Sequence, residues 1–418
     1  MELKQAAIKV AIFIALIAAI LAVSQSFVDY NEKEHRFPTM SIQIEDGQDV
    51  QSKDTEYSCL ISVKDVLSDS FNDLPATIKG RGNSTWGEPK KPYTIKFESK
   101  IGLFGYEEAK KWVLLANYKD KSFARNDFAF SVANLLECSY TPDSMFVNLY
   151  INGEYMGVYQ LCEKVEVAKG RVNIDDSTKK PDFGFLVELD SHAMDEGEEG
   201  IDYIEVGGRL YTIKDPSCNK DQAMHVKTIL QQSWDVLHSG DWELILENID
   251  VDTFARTYVV QELFSNADVD YSSFYLYRDN GGKLCSGPVW DFDLSCGNHD
   301  NVDRIFTDQM FVAENSVWYA PLLEHIEFKE MVAEIIDLNY YKIRNVLKGE
   351  YHEVFSNHKN EFEADVDRWG TINMNVYSTP FQYMVITQWT YHLDNAIQWL
   401  YNKLDYMYSY YYDYMDHT

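Results

Sequence analysis

Basic residues are scarce in this chain relative to acidic ones. Its 418 residues include 67 aspartates and glutamates but only 37 lysines and arginines, so the formal net charge at pH 7 is −30. A surface this acidic repels the phosphate backbones of DNA and RNA, and we therefore expect no nucleic-acid partner. Because complementary charge speeds encounter, the same imbalance favours a basic protein as partner.

Cysteine is also scarce, and its spacing excludes the common sequence motifs. None of the six cysteines forms a CxxC pair, which leaves a zinc ribbon or a thioredoxin motif without support. An exported chain could use them in disulfides, but the low count fits free buried thiols equally well. The six are Cys59, Cys138, Cys162, Cys218, Cys285 and Cys296.

Internal repeats and linkers rich in proline, glycine or serine are absent from the sequence. The composition is 45% hydrophobic and 25% charged, which is ordinary globular usage and excludes a disordered tail or a fibrous repeat. We predict one mixed module over about residues 36–316, followed by a helical extension over 317–418. Because no linker separates the two parts, no separable domains are expected. The extension ends in a tyrosine-rich tail.

The longest uninterrupted apolar run is short. It extends over 14 residues from Val10 to Val23, whereas a bilayer core needs about 20 and a signal-peptide core about 7–15. Ala22-Val23-Ser24 is a passable cleavage site, so residues 1–30 are predicted to be a signal peptide. The stretch between Lys9 and Asp29 is uncharged and just long enough for a membrane anchor instead, and a buried helix is a third reading. Both export readings place the chain after about residue 30 outside the cytoplasm, for example at the cell surface.

Hydrophobic periodicity predicts an α+β fold with a β-rich first part. Strands are expected where polar and apolar residues alternate, and hairpins where Asn-Gly pairs separate two such runs. Helices are expected where apolar residues recur on one helical face. The predicted strands lie within 38–65 and 74–97, the hairpins at 145–161 and 274–290, and the helices from Ser122, at 221–238, at 252–264 and from about 317 onward.

Three aspartates follow the helix at 252–264 in an order that suits phosphoryl transfer. Asp268 lies in the short loop after that helix, and Asp291 follows the next hairpin. Such a reaction needs one carboxylate to orient the attacking hydroxyl and another to hold the metal that bridges the phosphates. Asp293 would face the same side as Asp291 in an extended segment, so the two could share a cation. An isolated loop aspartate is more often a turn former, but acids inside the sequence WDFDL are costly to bury uncompensated.

Two upstream features could bind phosphate. The glycine-rich turn Gly80-Arg81-Gly82-Asn83-Ser84 offers backbone donors and a guanidinium beside two glycines. Lys96 lies in the following strand, Tyr93-Thr-Ile-Lys-Phe, where protein kinases place a phosphate-binding lysine. Each feature alone also fits an ordinary hairpin turn or a solvent-facing lysine, and only the order of all the parts makes a site.

These stretches together resemble the CotH kinase family, the atypical protein kinases similar to spore coat protein H. The resemblance spans about residues 38–400 and is specific in the combination of its motifs. The matching stretches are IKGRGNSTWGEPKKPYTIKF (78–97), WVLLANYKDKSFARNDFA (112–129), NGEYMGVYQLCEKV (152–165), FLVELD (185–190) and FYLYRDNGGKLCSGPVWDFDLSCGN (274–298).

The resemblance implies a two-lobe, kinase-like fold that uses ATP with Mg²⁺ or Mn²⁺ to phosphorylate serine, or threonine, on exported or spore-coat proteins. Residues 36–165 would form the β-rich N-lobe-like part, and 166–316 the catalytic C-lobe-like part. Asp268 then matches the catalytic aspartate and Asp291 the metal-binding one, with Asp293 beside it. The nucleotide-binding candidates are Arg81, Asn83, Lys96 and Glu163, the last as the acidic partner of Lys96 or as a structural residue at a hairpin end.

One position departs from the family pattern. The family usually has asparagine just before the strand at 274, as a second metal ligand, and here that residue is Ser273. A serine hydroxyl is a weaker ligand, so Asp270 or Asp293 would have to substitute, or the activity would be reduced or absent. The sequence also shows no evident activation loop.

Two other functions compete with a kinase that acts on a basic, serine-rich protein. A non-catalytic coat or surface scaffold of the same fold fits Ser273, the acidic body and the tyrosine-rich tail. A glycosyltransferase fits the DxD at 291–293, but the preceding 150 residues show no repeating βα units of the kind that class uses. The oligomeric state and the substrate's identity are not evident from the sequence.

Overall fold

The computed structural model describes residues 36–65, 70–195, 197–299, 306–373 and 388–415. The expected signal peptide or anchor at 1–30 lies outside these ranges. Among the residues that are described, no helix is both long enough and apolar enough to span a bilayer. None of the six cysteines, all of which are described, takes part in a disulfide.

The first part of the chain forms a closed, seven-stranded barrel in the order β1-β2-β3-β4-β5-β7-β6. Neighbouring strands are antiparallel, except that β1 closes the barrel by pairing in parallel with β6. The expected strands and the hairpin at 145–161 are confirmed. The closure into a barrel was not predicted. The strands are β1 Thr39–Ile44, β2 Tyr57–Lys64, β3 Phe71–Gly80, β4 Tyr93–Ile101, β5 Ala109–Leu115, β6 Ser144–Ile151 and β7 Glu154–Glu163.

Period-two alternation along β4 shows how the barrel is filled. Tyr93, Ile95 and Phe97 are buried inside it, while Lys96 between them faces outward with 46% of its side chain exposed. Burying one face of every strand in this way supplies the barrel with its own hydrophobic cluster. The orientation of Lys96 follows directly from this alternation.

A second, fully antiparallel sheet has the order β12-β11-β8-β10-β9. The hairpin expected at 274–290 is confirmed, but its returning strand ends at Ser286, well before Trp290. Residues 287–299 are therefore free to form a loop instead of extending the sheet. The strands are β8 Phe185–Leu189, β9 Tyr203–Val206, β10 Arg209–Asp215, β11 Phe274–Arg278 and β12 Leu284–Ser286.

Nine α-helices accompany the sheets in the described residues. The first begins at Arg125 and not at Ser122 as predicted, because the Asp120 carboxylate accepts the Arg125 backbone N–H (2.9 Å) in place of a serine cap. The helices are α1 Arg125–Leu135, α2 Lys220–Leu237, α3 Trp242–Asn248, α4 Val251–Phe264, α5 Val312–Asn315, α6 Tyr319–Leu322, α7 Ile326–Glu350, α8 Lys359–Trp369 and α9 Trp389–Tyr411.

Helix α4 lies at the centre of a second hydrophobic cluster, which the later helices share. It is buried on nearly every side, including the polar residues Gln261 and Glu262. The cluster includes α1, both faces of α4, the second sheet and buried residues of α7, α8 and α9. The expected mixture of α and β structure is thus confirmed, and the C-terminal helices pack into the main core.

Candidate active site

The loop that carries Asp268 begins where α4 ends. Ser265 terminates the helix in the left-handed conformation (φ 43°), and Ser273 leaves the loop in the same conformation (φ 59°). Inside the loop the Asp268 N–H donates to the Asn266 side chain (3.1 Å), and the Asp268 carbonyl accepts the N–H of Tyr271 (2.8 Å). The loop is therefore a tight, strained turn of the kind that concentrates at functional sites.

Asp291 lies against this loop. It too has a left-handed backbone (φ 62°), and its carboxylate accepts a hydrogen bond from the Ser273 hydroxyl at 3.3 Å. Its backbone carbonyl accepts a long contact from the Asn266 amide, at 3.4 Å. The structure thus brings together the two loops that sequence analysis assigned to the hydroxyl and to the metal, and it gives Ser273 a partner in that site.

The pKa values of the Asp291 and Asp293 carboxylates are both raised. Burial raises the pKa of Asp291, with Arg81 and the Ser273 hydroxyl opposing the shift. Burial raises the pKa of Asp293 well above its ordinary value, and the neighbouring charges of Asp291 and Asp268 add to this shift. Three acids this close repel one another unless a cation joins them, so the site is built to attract positive charge.

Two cations face the carboxylates from the barrel side. The Arg81 guanidinium lies 5.6 Å from the centre of the Trp290 ring, directly before Asp291. Lys119 is almost completely buried, and its ammonium donates to the Ser84 hydroxyl (3.0 Å) in the glycine-rich turn and lies 3.9 Å from Glu88. Both lower the pKa of Asp291 by their charge. Asn83, the other candidate in that turn, has an exposed side chain.

The structure does not bring Lys96 and Glu163 together. Lys96 pairs with Glu56 (3.8 Å) on the outer face of the barrel, where it lines a surface pocket of about 560 Å³. Glu163 is buried and lies 3.7 Å from Arg171, while its carboxylate accepts the Asp143 N–H at 3.2 Å. The pairing suggested for these two residues is therefore not formed.

The segment 117–126, which was not among the predicted site residues, holds the loop at 287–298 in place. Arg125 donates from Nε to the Ser295 carbonyl (2.8 Å), and the Asn126 side chain accepts the Phe292 N–H (2.8 Å). Asn298 donates to the carbonyls of both Lys119 (3.1 Å) and Asp293 (2.7 Å). The sequence feature that could have predicted these contacts is the run of residues 117–126. It is rich in polar side chains and has neither helical nor strand periodicity.

Asp291 and Asp293 could bind a divalent cation only if a bound substrate or water supplied the remaining ligands. Within the described parts of the chain, no group of three or more histidine, cysteine, aspartate or glutamate side chains is arranged to hold a metal by itself. Mg²⁺ commonly takes one or two carboxylates and completes its shell with water and substrate phosphates. Asp291 and Asp293, whose pKa values are raised by burial and by neighbouring carboxylates, fit that donor set.

Comparison with known proteins gives a family match over most of the chain. The model of a family described as CotH kinase protein matches residues 78–407. No curated protein matches the sequence. Among solved structures, the crystal structure of the Helicobacter pylori proinflammatory kinase CtkA matches with 11% identity and covers 90% of this chain and 98% of its own. Its TM-score of 0.27 is too low for that likeness to define the fold.

Proposed function

We propose that this chain, which belongs to the CotH kinase family, transfers the γ-phosphate of ATP to serine, or threonine, of a protein. The observation that carries the proposal is the meeting of Asp268 with the half-buried pair Asp291 and Asp293, opposite the cations Arg81 and Lys119. Carboxylates on one side and cations on the other are what a metal-bound polyphosphate needs.

Each residue has a role that its position supports. Asp268 accepts a hydrogen bond from the acceptor hydroxyl and orients it towards the phosphate. Asp291 and Asp293 would hold Mg²⁺ or Mn²⁺, which supplies charge stabilisation on the transferred phosphoryl group. Arg81 and the backbone of the glycine-rich turn, with Asn83, bind phosphate oxygens.

We assign the phosphate-binding lysine to Lys119 in place of Lys96. Lys119 is buried beside the glycine-rich turn, and its charge acts on both aspartates of the metal loop. Lys96 lies outside the barrel and has Glu56 as its partner. In this arrangement the barrel serves as the N-lobe and residues 166–316 as the catalytic lobe, while the helices after 317 complete the core.

The proposed substrate is an exported, basic and serine-rich protein, because a chain of net charge −30 attracts such a partner. The enzyme itself would be exported or anchored outside the cytoplasm, through residues 1–30.

A phosphotransfer assay tests the proposal. We expect residues 30–418 to label a basic, serine-rich protein from γ-labelled ATP with Mg²⁺ or Mn²⁺, and Asp291→Ala to abolish labelling. Lys119→Ala should lower the rate about 100-fold or more, the size of effect seen when one charge-stabilising donor is lost. Lys96→Ala, as the matched control, should stay within about threefold of wild type, because its side chain faces solvent. Labelling that survives Asp291→Ala contradicts the proposal.

The competing function is a nucleotide-binding scaffold, and Ser273 is the observation that favours it. Its hydroxyl is already hydrogen-bonded to Asp291, and a hydroxyl is a poor ligand for the second metal of a kinase. The left-handed backbone at this position (φ 59°) accommodates asparagine readily. A scaffold would give no labelling with wild type, while ATP still raised its melting temperature, and Ser273→Asn would then restore turnover.

A further inference from the structure

Helix α4 anchors the first end of the loop that carries Asp268. The N–H groups of Ser265 and Asn266 donate to helix carbonyls of Glu262 (2.9 Å) and Gln261 (3.0 Å). The left-handed conformation of non-glycine residues, as at Ser265 and Ser273, is unfavourable and persists only where surrounding contacts impose it. The middle of the loop, between Asn266 and Ser273, therefore needs contacts outside α4.

An arginine from the second sheet supplies that anchor. Arg209 grips the carboxylate of Asp270, two residues after Asp268, with Nε at 3.3 and 3.2 Å from the two oxygens and a terminal nitrogen at 2.6 Å from Oδ2. Beside this pair, the Ser191 N–H donates to the Tyr271 carbonyl at 2.8 Å. Asp270 is thus engaged by a guanidinium and is turned to this contact instead of serving as a metal ligand.

The element that carries Arg209 is held firmly. Arg209 directly follows the Gly207-Gly208 turn between β9 and β10, where both glycines have positive φ (58° and 72°). The Trp234 ring of α2 packs so closely on Gly207 that a Cβ there would lie 2.3 Å from it. Trp234 in turn packs edge-on against Trp318, with ring centres 5.3 Å apart. Arg209 therefore lies next to a hairpin turn that is held in place by the packing of Trp234.

We propose that Arg209 is a positioning residue for the reaction: through Asp270 it fixes the loop in which Asp268 orients the acceptor hydroxyl. This inference rests on the proposed kinase function. The pair is partly exposed, with 40% of the Arg209 side chain and 21% of Asp270 open to solvent, so it adds little to overall stability. Its effect is on geometry, because small misplacements of a catalytic group can cost up to about 100-fold in rate.

The pair of Arg209 and Asp270 is called the clamp below. Four variants of the full chain test it: Arg209→Met, Asp270→Asn, the double variant, and Arg278→Met. Arg278 is the matched control, because it forms a similar two-pronged pair with Asp182 (2.6 and 3.0 Å) at the other end of β11. We expect each clamp variant to lower kcat about tenfold while KM for ATP and the melting temperature stay near wild type. The double variant should be no worse than either single one, as required of two residues that act as a unit.

Hydrogen exchange provides a readout that does not depend on activity. Exchange of the Asp268, Tyr271 and Ser272 amides should accelerate in Arg209→Met and stay unchanged in Arg278→Met. Unchanged exchange in Arg209→Met, an unchanged kcat or additive losses in the double variant would each overturn the clamp. A wild-type protein that transfers no phosphate would instead overturn the proposed function, and the exchange measurement would still decide whether Arg209 holds the loop.

Discussion

At the scale of single residues, Asp293 is the most strained acid of the candidate site. Burial raises its pKa most, the charges of Asp291 and Asp268 raise it further, and the charge of Lys119 only partly offsets them. A group whose pKa is raised on folding binds its proton more tightly in the folded than in the unfolded state. Its contribution to stability is therefore fully present below the ordinary aspartate pKa of about 4, and is lost as the pH rises through the raised value.

Replacing this acid should consequently stabilise the protein when no metal is present. At pH 7 in EDTA, we expect Asp293→Asn to melt about 2 °C or more above wild type, with the difference shrinking as the pH falls towards 4. The stabilisation that Mg²⁺ and ATP give the wild type should weaken in the variant, because one cation ligand is gone. Melting curves from pH 4 to 8 measure both effects. A variant that melts below wild type at pH 7 would contradict this account of Asp293.

At the scale of elements, helix α8 is bound to the barrel by a buried ion pair. Lys90, in the sequence KKPYTIKF, donates to Asp365 of α8 (2.5 Å) and to the Val158 carbonyl of β7 (2.7 Å), and neither charged side chain reaches solvent. Burial lowers the pKa of Lys90 and raises that of Asp365. The Asp365 carboxylate leaves so little space that a Cβ at Gly157 would lie 2.1 Å from it.

Removing one partner of this pair leaves a buried charge without compensation. We expect Lys90→Met to lower the free energy of unfolding by about 3–5 kcal/mol, measured by urea denaturation. The double variant Lys90→Met/Asp365→Leu should lose less than Lys90→Met alone, since no charge is then buried. Losses that simply add would show that the two side chains do not act as a pair.

The elements also show which parts of the site were predictable. Asn-Gly pairs and local alternation predicted the hairpins, and chain order predicted that the loops of Asp268 and Asp291 meet. Alternation gives a strand two faces without telling which one faces the candidate site, so Lys96 was assigned to the site although it lies on the outer face of the barrel. Lys119 was missed because it lies in an irregular segment, and only tertiary contacts bring it beside the glycine-rich turn.

At the scale of the whole molecule, two properties depend on the complete chain and not on any single element. They are the closure of the barrel and the net charge. The parallel pairing of β1 with β6 joins strands about 100 residues apart in sequence, which no local pattern could predict. A net charge of −30 acts over the Debye length and not through single contacts.

Phosphorylation of a lysine- and arginine-rich acceptor should therefore depend strongly on salt. We expect its kcat/KM to fall about tenfold or more between 20 and 300 mM NaCl, mainly through KM, while the rate on an acidic serine peptide stays low throughout. Equal rates on both acceptors at low salt would exclude charge as the basis of substrate choice.

The buried pair of Lys90 and Asp365 also limits how early in protein synthesis the barrel can reach its full stability. The two residues are 275 positions apart. At a translation speed of about 5–20 residues per second, Lys90 leaves the ribosome roughly 15–55 s before its carboxylate exists. Throughout that interval the nascent barrel has an amine that it cannot bury without cost, so the barrel cannot reach its final stability on its own. Helix α8 brings the missing carboxylate, so we expect the barrel of a ribosome-bound chain that stops before α8 to be less stable than that of the full chain.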